Sequence, residues 1–456
     1  VARVADHVRE DLFLGDNPHP DLIVGDLVLP PATLNGATLS FASLTPELLT
    51  DAGRLTSPAA QGARAGLRVT ITSGAARREK DLSFGVLPGG RRLPVLRVEA
   101  AGTPRKDSTV PCLAELVEAG DARSGLLEGR LRLRGNSVLV KNKGRKVYYR
   151  IELARPRDVF GAGPTKVLLL TSAWRDVSLM RDRLCYDLFR GFSEPGRPRY
   201  SPHARYVELV VNGDYQGVYL LTDRIDADLL GFGKKSGRGA EHAVLYKAKD
   251  DRASFSELHE EAYVQKAPDW RDGEDWGPLA QLVGFVGQTP PKAFAAGIEG
   301  LVDVDEIIDF ETLLLLRADR EGRNYNLYVG RPPGPGARFF VVPWDCDMSF
   351  YHTDGASNAL IHRLHQALPG YSRRANERWQ ALRRDRLSEK GLMARIDGLE
   401  AELAGAAGRN YRRWPLLPGW SWEGDVQTLR EFLKTRLVTL DKVFQDAEDA
   451  AAARGM

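Results

Sequence analysis

The stretch that decides the fold reads RADREGRNYNLYV, residues 317–329, and is followed by FVVPWDCDMSF, residues 340–350. Each contains an apolar strand pattern, LYV behind a polar run and FVVP ahead of an acidic one. Asp319 and Asn324 precede the first strand, and Asp345 and Asp347 close the second. Asp and Asn are common turn residues, so strand capping is the plain alternative for either pair. Two acids and a tryptophan at the end of an apolar strand ask for more. A charge drawn out of water must be hydrogen-bonded, solvated or metal-bound.

Outward from these stretches, the second half of the chain is mostly helical in pattern. DEIIDFETLLLLRA (305–318) leads into the first stretch. DVQTLREFLKTRLVTLDKVF (425–444) places Leu429, Phe432, Leu433, Leu437, Leu440 and Phe444 on one stripe. The preceding part reads as strands: LPVLRVEA, LEGRLRLRGN and VYYRIEL at 147–153. A helix is predicted over 178–192 and a hairpin over 205–225, where Asn212-Gly213 separates two alternating apolar runs. Residues 19–88 carry short alternating runs punctuated by turn clusters, the pattern of a small β-sandwich, and LPGGRRLP at 87–94 reads as a linker. The expected division is an N-terminal segment 1–18, a sandwich 19–90 and a main domain 91–450. The main domain is split into a β-rich lobe, about 91–226, and a helical lobe, about 227–450.

Lys and Arg number 64 against 61 Asp and Glu, a net charge of +3, which argues for neither a nucleic-acid partner nor a membrane surface. No apolar run approaches the roughly 20 residues of a membrane helix. Cys112, Cys185 and Cys346 are odd in number and far apart, so no disulfide framework or CxxC metal site is expected. His362 and His365 fit a surface helix better than a metal pair. The chain starts at Val1 with no visible signal peptide, as a mature or trimmed form would.

Phosphoryl transfer needs positioned phosphates, a divalent cation and a group that orients the nucleophile. An aspartate followed five residues later by an asparagine is the catalytic-loop spacing of protein kinases, and Asp319 with Asn324 fits it. Mg²⁺ takes hard oxygen ligands, and Asp345 or Asp347 supplies one at the end of the next strand. The phosphate cradle is sought in RLRGNSVLVKNKGRKVYYRIEL. That stretch holds Arg134, Gly135, Asn136, Ser137, Lys141, Lys143, Gly144, Arg145 and Lys146. Lys146 is the first candidate for the phosphate lysine and Arg134 the second. A basic, solvated hairpin tip is the competing reading.

The motifs RLRGNS, KVYYRIEL, DVSLMRDRL, VELVVNGDYQGVYLLTDRI, ADREGRNYNLYV, VVPWDCDMSF and LREFLKTR occur in this order. Together they resemble the CotH family of spore-coat-type atypical protein kinases over roughly residues 93–446. The resemblance implies a bilobal kinase-like α+β fold that binds ATP with Mg²⁺, or with Mn²⁺ in its place. It also implies phosphorylation of Ser or Thr on a partner protein. It makes Asp319 the catalytic aspartate and Asn324 a metal ligand, with Asp345 and Asp347 following. Lys146, Arg134 and Arg181 become nucleotide-binding residues, and Asp182 is a guess for the acidic partner of Lys146.

Ahead of this, LPPATLNGATLSFAS, PELLTDAGRLTSP and LRVTITSG are similar to the atrophied bacterial immunoglobulin-like repeat. Phe41 stands where that family usually has Trp. Such modules imply an exported bacterial protein, extracellular, periplasmic or on the cell surface. The chain departs from the CotH pattern too. Residues 317–321 lack the family's Asn and His around the aspartate, Asp223 replaces a more usual Glu, and Tyr351 follows Phe350 where Gly is usual. An inactive surface or adhesion module, and a kinase-like enzyme transferring a nucleotidyl group, are the alternative functions.

Overall fold

The computed structural model describes all residues except 16, 18, 57–62, 88–92, 120–121, 136–138, 140–145, 233–241, 270–272, 320, 352–357 and 456. The first unit is one antiparallel sheet, β1 (Thr33–Leu34), β2 (Ala37–Ser43), β3 (Arg64–Ser73) and β4 (Ala76–Gly85), paired in that order. Alternation turns Ala65, Leu67, Val69 and Ile71 of β3 inward. They pack with Val4 and Val8, from and just after helix α1 (Ala2–His7), and with Phe13. Where a β-sandwich was expected, the described residues form one sheet here. Its apolar face is covered by residues from 1–13 and by Ile23, Leu27 and Leu49. Its outer face carries charge, as in the Arg68–Asp81 pair at 2.7 Å.

Seven strands then close into a barrel: β5 (Val95–Ala100), β6 (Val110–Val117), β7 (Leu127–Arg134), β8 (Tyr148–Arg157), β9 (Thr165–Thr171), β10 (Ala204–Val211) and β11 (Asp214–Asp223). Closure is made by β5 running parallel to β10, with Leu96 opposite Leu209. Leu131, Ile151, Leu168, Leu170 and Leu209 fill the interior. The predicted Asn212-Gly213 hairpin joins β10 to β11, both residues having positive φ (49° and 75°).

Helix α2 (Arg181–Gly191) lies between β9 and β10. A second sheet follows in the half expected to be helical: β12 (Val244–Ala248), β13 (Tyr263–Ala267), β14 (Leu327–Arg331) and β15 (Phe340–Pro343), ordered β13-β12-β14-β15. Helices α3 (Gly277–Gln288), α4 (Pro291–Leu301), α5 (Val304–Arg317), α6 (Ala359–Ala367), α7 (Tyr371–Arg384), α8 (Glu389–Arg413) and α9 (Trp422–Ala453) complete the α+β architecture. One core joins α2, this sheet and these helices, and it includes the predicted stripe Leu429, Leu433, Leu437, Leu440 and Phe444. Among the described residues no helix is long and apolar enough to cross a membrane.

Helix α5 leads directly into the acidic stretch at 317–329. Asp303 caps it by accepting the Glu306 N–H at 3.2 Å, and Asp305 favours its positive N-terminal end. It ends because Ala318 adopts the left-handed conformation (φ 49°), which turns the chain into Asp319.

Candidate active site

β14 and β15 form a hairpin, Leu327 opposite Pro343 and Tyr328 opposite Val342, that sets the two acidic stretches side by side. Trp344 N–H donates to Asn326 O at 2.9 Å, and Asn326 Nδ2 donates to Asp345 O at 3.2 Å. Phe350 N–H donates to Arg317 O at 2.7 Å. Ala318, Asn326, Asp345 and Phe350 all have φ between 49° and 62°. Left-handed backbone costs about 1–2 kcal/mol for a non-glycine residue, and such strain collects where a site over-determines its backbone.

Asp319 is buried and tied to Arg317, Nη2 to Oδ2 at 2.7 Å, while its Oδ1 accepts the Glu321 N–H at 2.8 Å. Arg317 also donates to Cys346 Sγ at 3.0 Å. Burial lowers the Arg317 guanidinium, and the neighbouring Cys346 and Asp319 more than offset it, so it stays charged. Gly322 is required here: a Cβ on it would lie 1.9 Å from Arg317 Nη2. Asn324 donates at 3.4 Å to Asp251 O, so the asparagine that bonds the Asp345 backbone is Asn326, two residues on.

Asp347 is buried with no hydrogen-bond partner among the described residues. Burial first, then Asp345 and Asp182, push its carboxyl well above the ordinary range, and Arg175 pulls it back. Asp182 is raised for the same reasons, by burial and then Asp345. Asp182, at the start of α2, accepts the Cys346 N–H at 2.6 Å, so it is not the partner of Lys146. Burial raises the Tyr148 hydroxyl, and Asp347, Asp345 and Asp182 each add to that rise. Among the described residues no three His, Cys, Asp or Glu side chains are close enough to hold a metal by themselves. The oxygen donors Asp345, Asp347 and Asn324 fit Mg²⁺, which needs only one or two protein carboxylates when phosphates and water complete its shell.

Of the expected nucleotide-binding residues, Arg134 lies beside Trp344 and Tyr148. Its guanidinium lies 5.5 Å from the Trp344 ring centroid and 5.4 Å from that of Tyr148, and Nη1 donates to Thr171 Oγ1 at 3.3 Å. Lys146 is turned away from this role. Its ammonium is buried and donates to Ser172 O (2.7 Å), Val218 O (2.8 Å) and Asn410 Oδ1 (2.8 Å). Burial pushes it down to about 7, while these acceptors and the Tyr219 ring, 5.1 Å away, favour the charged form.

Arg181 is likewise a brace. Fully buried, it donates to Asp176, to Asp425 (2.6 Å) of α9, to Ser178 Oγ (2.9 Å) and to Ser349 O (2.9 Å). It lies 3.7 Å from the Tyr351 ring, which accounts for a tyrosine after Phe350. Asp223 holds His203 Nδ1 at 2.6 Å. Of the proposed cradle loop, Asn136, Ser137, Lys141, Lys143, Gly144 and Arg145 lie outside the described residues.

One cation here was not foreseen. Lys247 of β12, opposite Tyr328, has Nζ 5.6 Å from the Trp344 ring and 5.9 Å from the Tyr328 ring. Burial lowers its ammonium, and Asp345 partly restores it. A larger hollow, about 740 Å³ at Cys112 and Leu153 on the barrel, shares no residue with this site.

The chain belongs to the CotH family, for the family model described as CotH kinase protein matches residues 131–440. It is similar to Inner spore coat protein H of Bacillus subtilis (strain 168), 29% identical over 215 residues, 45% of this chain and 55% of that relative. The match thus spans little more than half the length of the curated relative. Strands β5 and β6, which close the barrel, and the N-terminal sheet precede the family match.

Proposed function

We propose that the chain is a bilobal, Mg²⁺- and ATP-dependent kinase, with the barrel as one lobe and the helical part with the second sheet as the other. In this reading it transfers the γ-phosphoryl group to a hydroxyl, that of Ser or Thr on a partner protein. One observation carries the reading: the β14–β15 hairpin joins the Asp319–Asn324 loop to Asp345 through Asn326, with Arg134 over the neighbouring Trp344. Asp319 orients the acceptor hydroxyl and takes its proton as the new O–P bond forms and the bond from Pγ to the bridging oxygen of ADP breaks. Because Arg317 holds Asp319, its main contribution is orientation, which suits a loose phosphoryl-transfer transition state that needs little early proton removal. Asn324, Asp345 and Asp347 would hold the Mg²⁺ ion, which when bound neutralises charge on the phosphates. The spore-coat name of the B. subtilis relative makes an extracellular or surface setting the reading for this chain as well.

The test is a thermal-shift titration with ATP, with and without Mg²⁺, on wild type and Asp345→Ala. Ligand at a hundred times its Kd stabilises by about 2.7 kcal/mol. A Mg²⁺-dependent shift lost in the variant supports the reading. No shift in wild type removes it and favours a surface-binding module.

A further inference from the structure

Around Lys247 lies a group of cations drawn from both the barrel and the second sheet. Arg224 follows β11, Lys266 lies in β13, and Arg150 lies in β8. Lys266 is pushed down to about 8 by burial and then by Arg224, Lys247 and Arg150; Arg150 is lowered by burial and then by Arg224. Like charges gathered and partly desolvated repel one another unless an anion joins them.

Asp345 acts on Lys247 and Arg224 acts on Asp226, and neither pair is hydrogen-bonded. Arg150 has Glu152 at 3.0 Å. Among the described residues Lys247, Arg224 and Lys266 have no hydrogen-bond or salt-bridge partner. Arginines elsewhere are paired, as Arg199 is with Asp309 at 2.7 Å and Arg409 with Glu208 at 2.8 Å. The Trp344 indole has Lys247 at 5.6 Å and Arg134 at 5.5 Å, and Asp345 is the next residue in the chain. Lys247 and Arg134, meeting over the Trp344 ring beside Asp345, are what a phosphate chain requires: a point-charge ammonium and a planar guanidinium fork.

We infer that Lys247 and Arg134, both over the Trp344 ring, form the polyphosphate-binding site of the chain with Arg224 adding charge to it, and that Lys247 takes the place expected of Lys146. This rests on the nucleotide reading above, and it adds that one lobe supplies Arg134 and Arg224 while the other supplies Lys247. A triphosphate bound between them draws the barrel and the second sheet together.

The test measures binding of ATP, inorganic tripolyphosphate and adenosine to wild type, Lys247→Met, Lys247→Arg and Arg224→Met. Losing one charged hydrogen bond to phosphate weakens binding roughly ten- to hundredfold. That loss is expected for ATP and tripolyphosphate in both methionine variants, with adenosine affinity unchanged and Lys247→Arg partly restored. The unliganded melting midpoint of Lys247→Met should lie close to wild type, since the ammonium has no hydrogen-bond acceptor among the described residues to lose. Tripolyphosphate binding equal to wild type in both methionine variants would overturn the assignment. Tripolyphosphate binding that depends on Lys247, without Mg²⁺-dependent ATP binding, would keep the anion site and remove the kinase reading. A wild type that binds neither ATP nor tripolyphosphate removes both.

Discussion

Replacing Lys146 with methionine separates a structural lysine from a phosphate-binding one. The side chain keeps its length and loses three donors, so Ser172 O, Val218 O and Asn410 Oδ1 lose bonds of 2.7 to 2.8 Å in a buried place. Asn410 Oδ1 retains the Val218 N–H at 3.1 Å, which leaves two carbonyls to bear most of the cost. An unsatisfied buried acceptor costs about 1–3 kcal/mol. Removing an ammonium that burial has pushed down to about 7 returns part of that. The net loss is roughly 2–4 kcal/mol, a fall in melting midpoint of roughly 3–5 °C for a cooperative unit of this size. Thermal unfolding of the ligand-free variant, followed by circular dichroism, reads this directly. ATP affinity of the surviving folded protein should change by less than about threefold. A midpoint within a degree or two of wild type, combined with lost ATP binding, would refute the reasoning and return Lys146 to the phosphates.

Other outcomes rest on the same contacts. Arg181→Met leaves Asp176 and Asp425 buried without their cation and should cost about 3–5 kcal/mol, seen as a large fall in urea midpoint. Gly322→Ala forces Arg317 away from Asp319 and should lower phosphoryl transfer about tenfold or more, with ATP affinity nearly unchanged. Asp347 has a raised folded-state pKa, so the unfolded chain binds fewer protons above the ordinary carboxylate range. Ligand-free stability therefore falls as pH rises from about 4 through the raised value. Mg²⁺ relieves that fall, so its stabilisation should grow between about pH 6 and pH 8 in melting curves and flatten in Asp347→Asn. A Mg²⁺ effect independent of pH would contradict the placement of Asp347.

Local pattern made much of this legible. Asn212-Gly213 announced its hairpin, Leu429 to Phe444 their helix stripe, and the apolar runs at 327–329 and 340–343 the strands that join the two acidic stretches. What stayed hidden depends on distant residues. Barrel closure needs β5 beside β10, with Val95 opposite Glu208, a pairing that alternation within either strand does not encode. The alternation of KVYYRIEL separates Lys146 and Tyr148 from the barrel-filling Tyr149 and Ile151. It does not reveal that Asn410 waits for that lysine 264 residues later. Lys247 sits in a five-residue strand with no motif of its own, and only the fold sets it beside Trp344. The N-terminal β pattern was readable as strands but not as one sheet, because part of the cover comes from Val4, Val8 and Phe13, which carry no strand signal.

The most direct test of the central claim is mass spectrometry of hydroxyl-bearing substrates, beginning with the chain itself and a Ser/Thr peptide library, after incubation with ATP and Mg²⁺. The account predicts a gain of one phosphoryl group per modified Ser or Thr, reduced about a hundredfold or more in Asp345→Ala and in Asp319→Ala. A gain of a nucleotidyl group, or phosphoryl transfer that persists in both variants, would contradict it.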